Sequence, residues 1–175
     1  MTSDQTQNEH DTVLKGLQST DPDKVLATLE ELRAVGKSSD IPILTELLHT
    51  SEEKEIKTKI TSLLGNLKEK ESIPYIIEAI KNERYAPELR QLVSCCWENG
   101  LDYTKYLSLF VDLLIENDFL VALEAFTVIT NMAETIDQQL IDAEIEKLDH
   151  AMKTTAEEKK LLMLDVIDFL PSIGM

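Results

Sequence analysis

The chain has 175 residues, 43% of them hydrophobic, with 17 Lys and Arg against 33 Asp and Glu for a formal charge of −16. That length suits one domain of ~100–200 residues with a continuous core. The charge repels polyanions, so nucleic acid and anionic membrane are excluded as expected partners and a cationic one is favoured. No run of about 18 apolar residues is present to span a bilayer, and residues 1–11 lack the basic and apolar regions of a secretory leader. The cytoplasm is the expected location. Cys95 and Cys96 are adjacent in a helical pattern, where their side chains diverge by about 100°, so they suit a reducing compartment rather than a disulfide.

In chain order, residues 1–11 read as a mobile polar tail and 12–175 as a single domain. Val13, Leu14 and Leu17 make a short amphipathic helix. At Asp21-Pro22 the aspartate can cap a helix while the proline takes the first turn, where its missing N–H costs nothing. Val25, Leu29, Leu32 and Val35 form that helix's inward face, and Gly36 is expected to end it in the left-handed conformation. Ile41, Leu44, Leu47 and Leu48 face inward on the next helix. A Thr50/Glu53 capping box is then expected ahead of a helix carrying Ile56, Ile60, Leu63, Leu64 and Leu67.

The pattern then repeats. Ile73, Ile76, Ile77 and Ile80 mark a helix whose Ile73-Pro74 answers Ile41-Pro42 at a distance of 32 residues, as Leu64 answers Leu32. A fixed period built from helix pairs is the mark of an α-solenoid, in which each pair buries its apolar face against the next. Pro87 opens the following helix, with Leu89, Leu92, Val93 and Cys96 inward, and Asn99-Gly100 ends it. Tyr103, Tyr106, Leu107, Phe110, Leu113 and Leu114 belong to its partner. A fourth pair carries Phe119, Leu120, Leu123, Phe126 and Ile129, then Ile136, Leu140, Ile141, Ile145 and Leu148 behind a Thr135/Gln138 box. A last helix is capped by Thr154 or Thr155 and stopped by Pro171. No strand signal appears.

Ile41-Pro42-Ile43-Leu44 through Leu48 and Ile73-Pro74-Tyr75-Ile76 through Ile80 resemble the proline-bearing second helix of HEAT repeats within the armadillo-type α-solenoids. The resemblance covers about residues 21–150. Arg90, and more loosely Lys57, match the family's basic residue near the start of a first helix, and Asn82 stands where the family has an acidic one. It implies an all-α, right-handed superhelix of about four helix pairs plus terminal helices, with the second helices lining a concave surface.

Enzyme chemistry finds little foothold. His10, His49 and His150 stand apart without the spacing of metal ligands, and no phosphate loop, serine elbow or zinc-binding helix is present, so neither catalytic residue, metal nor cofactor is expected. Cys96 falls 32 residues after Leu64, a core position. Paired carboxylates such as Glu52-Glu53 and Glu157-Glu158 lie in first turns, where they complement the helix dipole. Glu46, Glu78, Asp112 and Asp142 recur on successive second helices at spacings of 32, 34 and 30 residues. With the resemblance, they imply an acidic concave groove for a basic helix or peptide of a protein partner, and a non-catalytic scaffold or adaptor.

Two alternatives stand beside that reading. HEAT-like alkylpurine DNA glycosylases need a basic concave face, which the charge opposes, but the HEAT-like bilin lyases are compatible, and Trp97, Tyr103, Tyr106 and Phe110 could line a flat-ligand pocket. The other alternative is an acidic inhibitor that masks a nucleic-acid-binding surface. The last helix is apolar over most of its circumference, so Leu162, Val166, Phe169 and Leu170 predict either a two-fold contact with a second chain or packing back on the preceding helices.

Overall fold

A computed structural model describes residues 3–174. It is all-helical: α1 (Ser3–Gly16), α2 (Pro22–Val35), α3 (Ile41–Thr50), α4 (Lys54–Leu64), α5 (Ile73–Lys81), α6 (Leu89–Glu98), α7 (Leu107–Glu116), α8 (Phe119–Thr130), α9 (Gln138–Ala151) and α10 (Glu157–Phe169), with short 3-10 turns between several of them. The described residues include no strand beyond one isolated bridge between Ile136 and Gly174.

The helix starts follow local chemistry. Asp21 caps α2 by accepting the Asp23 N–H, with Pro22 in the first turn, and Asp118 caps α8 by accepting the Val121 N–H at 3.0 Å. Other caps differ from expectation. Thr50 is the last residue of α3, its hydroxyl turned back to the Glu46 carbonyl, and Asp137, not Thr135, caps α9. Thr154 and Thr155 both donate to the Ala151 carbonyl, leaving α10 without a side-chain cap. The hydroxyls of Thr50, Thr154 and Thr155 instead bond back to carbonyls one turn earlier, a local bond that competes with capping. Gly36 sits at φ −62°, in ordinary extended backbone, whereas Gly100 at φ 69° is left-handed.

The chain divides into two compact units, Met1–Glu88 and Leu89–Met175. Residues 3–11 are part of α1. His10 on that helix is buried and its Nε2 lies 2.8 Å from the carboxylate of Asp40, also buried. An internal partner of this kind, invisible to composition, holds the polar segment against α3's start.

In the first unit α2 packs on α4 and α3 on α5, with α3 also against α4. Residues 32 apart are alike in burial: Leu32 and Leu64, Leu44 and Ile76, Leu48 and Ile80 are all buried. Burying one such side chain is worth ~1.5–3 kcal/mol relative to leaving it exposed. In the second unit α6 packs on α8, α7 on α9, and α8 also on α7 and α10. Helix α8 is apolar almost all round because it meets three neighbours. Its alanines Ala122 and Ala125 are fully buried where helices approach, while Leu120 is 46% exposed. Val35 and Leu140, both expected inward, are likewise exposed.

Candidate functional site

The second unit carries an open depression of about 710 Å³, formed by the end of α7, the start of α8, the end of α9 and the start of α10. Its position follows from how these ends are tied. Lys159 of α10 is buried, and its Nζ donates to the carbonyls of Ile115 and Asn117, each at 2.7 Å. A cation there satisfies acceptors that the end of α7 leaves open. Burial lowers the pKa of this amine, and the charge of Asp118 only partly offsets that.

A second tie crosses from α9 to α7. Lys147 Nζ lies 2.9 Å from Asp112 and 2.8 Å from Glu144, and Ser108 donates to the other Glu144 oxygen at 2.6 Å. Burial opposes the charge on Lys147, but the bonds to Glu144 and then Asp112 outweigh it and raise its pKa. Both lysines of the depression are thus committed to internal acceptors. Glu116 and Glu158 are exposed at its rim and make no hydrogen bond or ion pair among the described residues, beside the half-buried Ile115 and Phe119. The arrangement offers uncompensated negative charge next to an apolar surface, chemistry suited to a lysine or arginine whose neighbour is apolar.

The four carboxylates singled out by register fall on α3, α5, α7 and α9, two in each unit. Their environments differ. Glu46 takes bonds from Arg84 and from the Tyr85 hydroxyl, the latter at 2.9 Å, and these bonds lower its pKa. Glu78 is exposed with no internal partner among the described residues, Asp112 is bound by Lys147, and Asp142 accepts from Gln138 one turn earlier on its own helix. Only Asp112 lines the depression.

The aromatic residues differ in their surroundings. Tyr103 and Phe110 are buried edge to face with centroids 5.9 Å apart, and Tyr103 accepts from Asn99 Nδ2 at 3.0 Å. Trp97 is 39% exposed and donates to Glu124. Both cysteines are buried thiols outside any disulfide, and burial pushes the Cys95 thiol up to about 12 and Cys96 higher than its ordinary value. Among the described residues no three His, Cys, Asp or Glu side chains converge as metal ligands.

In the last helix Val166 and Leu170 are fully buried within the second unit, so neither is available to another chain, contrary to their expected place in a self-association surface. Val166 lies on α10, which packs on α8, and Leu170 opens the 3-10 turn Leu170–Ile173, which contacts α9 and α10 and accepts the Ile136 N–H at 2.8 Å. Leu162 and Phe169 are half-buried, while Leu161 and Leu164 are the exposed apolar positions, at 67% and 46%.

Sequence reasoning missed Glu116, Phe119 and Glu158 because no period connects them. A signal existed in the run Glu116-Asn117-Asp118, a polar break between two apolar helices, but its meeting with Glu158 depends on α10 packing against α8. No protein-family model and no curated protein matches the chain. Among solved structures, the crystal structure of an engineered protein from the Northeast Structural Genomics Consortium is similar over 93% of this chain and 79% of that one, at 18% identity and a TM-score of 0.43. A likeness that weak carries no argument about fold or function.

Proposed function

We propose that the chain is a non-catalytic protein-interaction module, built from HEAT-like helix pairs, that receives a basic helix or peptide of a partner protein. The right-handed superhelix belongs to this reading. It is supported by the 32-residue recurrence of buried positions and by alternate helices packing on one another within each unit. The acidic depression of the second unit carries the partner assignment: Glu116 and Glu158 stand free beside Phe119, in a chain of charge −16. Carboxylates so placed speed the encounter with a cationic partner and set its register, while a preformed helical surface limits the entropy lost on binding.

The test is fluorescence anisotropy with a labelled amphipathic peptide rich in Lys and Arg. Glu116→Lys with Glu158→Lys weakens binding severalfold, whereas the same charge change at Glu52 and Glu53, in the other unit, does so far less. Binding also weakens as salt rises. Equal losses from the two double variants reduce the effect to net charge and reject the depression as the site.

A further inference from the structure

Helix α10 has two faces in different surroundings. At about 100° per residue, Lys159, Met163 and Val166 fall on one side and are buried, as is Leu170 in the turn that follows. On the opposite side, within an arc of about 120°, stand Glu158, Leu161, Leu164, Asp165 and Asp168, every one of them exposed. Leu161 is 67% exposed and Leu164 46%. Single exposed apolar residues are ordinary, but these two lie one turn apart, where i,i+3 neighbours form one patch.

The charges around the patch have one sign. Glu158, Asp165 and Asp168 make no hydrogen bond or ion pair among the described residues. The two lysines of this helix are engaged elsewhere. Lys160 donates to Glu157 at 2.6 Å, and Lys159 is turned to the carbonyls of Ile115 and Asn117. A second copy of the chain is a poor occupant, because a two-fold contact through this face sets Asp165 and Asp168 against the same carboxylates in a chain of charge −16. An anionic membrane surface meets the same repulsion. A helix with lysines or arginines beside an apolar stripe answers the carboxylates and the leucines together.

We infer that the outer face of α10 is the docking track for a basic amphipathic helix of the partner, whose apolar stripe lies on Leu161 and Leu164 while its lysines or arginines reach Glu158, Asp165 and Asp168. The inference rests on the reading of a basic partner at the acidic depression and extends it, because Glu158 belongs to both, lining the depression and starting the track. Glu158 and Asp168 are ~15 Å apart along the axis at the usual rise per residue, the length of about three turns of a partner helix. An extended basic peptide enters the depression equally well, but its side chains alternate and match the two leucines poorly.

Fluorescence anisotropy of the full chain tests it with two labelled peptides of identical Leu, Lys and Ala composition, one with its leucines on a single helical face and one with them scattered. The first is expected to bind about tenfold more tightly. Leu161→Gln with Leu164→Gln removes about that tenfold from the first peptide and leaves the second unchanged. Both positions are exposed and Gln is a good helix former, so an unaltered circular dichroism spectrum verifies folding. Asp165→Asn with Asp168→Asn weakens the first peptide severalfold and flattens its salt dependence. Glu116→Lys changes the depression without touching α10, and so separates the two readings. Parent-like affinity of the leucine double variant overturns the inference, and if Glu116→Lys still weakens binding the depression remains the site. Losses from the α10 variants with none from Glu116→Lys uphold the track and reject the depression. Equal binding of the two peptides by the parent, or a parent dimer that the leucine substitutions dissociate, overturns the inference as well.

Discussion

The Nδ1 of His49 on α3 lies 2.8 Å from the carboxylate of Glu88, in the 3-10 turn Glu83–Glu88. The other Glu88 oxygen is 3.5 Å from Lys57 Nζ on α4, and the glutamate side chain is only 6% exposed. One buried carboxylate therefore ties three elements of the first unit. Glu88→Ala leaves His49 and Lys57 without this acceptor and is expected to cost ~1–3 kcal/mol. Glu88→Gln keeps a carbonyl for His49 and costs less. Urea unfolding ranks the two, and an alanine variant as stable as the parent shows the tie to be incidental.

Stability falls at alkaline pH because of the buried thiols. The Cys95 pKa is about 12 in the fold, raised first by burial and then by the charge of Glu98, against an ordinary 9.0. Below pH 9 both states hold the proton. Above it the unfolded chain releases its proton first, so the stabilisation is lost as pH rises toward the folded value, at ~1.4 kcal/mol per pH unit for each such group. Cys96 acts in the same direction. Cys95→Ala should flatten the dependence of the urea midpoint between about pH 8 and pH 10, and neither thiol should take up maleimide except as its helix opens.

Substitutions in α10 separate core from surface. Leu170→Ala removes a fully buried side chain and should cost ~2–5 kcal/mol. Leu161→Glu and Leu164→Glu, at exposed positions, should each stay within about 0.5 kcal/mol. If the chain self-associates through this helix, sedimentation changes with the exposed pair, since changing Leu170 unfolds the unit first.

Charge reversal along the register of carboxylates has unequal effects. Glu78→Lys should leave the melting temperature almost unchanged, as an exposed group without an internal partner. Glu46→Lys removes the acceptor of Arg84 and Tyr85 and sets like charges together. The folded Glu46 pKa lies below 4.5 through its bonds to Arg84 and Tyr85. Its small contribution is therefore present above that pH and lost as pH falls through the folded value. Acid titration of parent and Arg84→Ala checks the sign.

Asp118 closes the first turn of α8 through the Val121 N–H. Asp118→Ala should cost ~1 kcal/mol, as removal of such a cap usually does, while Asp118→Asn should nearly restore stability. Thermal unfolding of the two variants decides whether the side chain acts as a cap or only as a charge of the depression.

What the sequence determined by itself is local or periodic. Apolar spacing placed the helices, Asp21-Pro22 marked a start that the structure keeps, and the 32-residue register put Leu32 with Leu64, and Cys96 with both, in buried positions. These features follow from the 3.6-residue turn and from groups a few residues apart, so a linear pattern records them. Tertiary structure decided the rest. Glu46 looks like a free carboxylate until Arg84, 38 residues on, folds against it. Val166 and Leu170 look like a sticky flank until the packing of the second unit buries them. Glu116 and Glu158 line one depression where α10 packs on α8 and Lys159 binds the end of α7. Charge and burial at such positions depend on which distant group arrives, and a repeat pattern says which residues are equivalent, not which of them meet.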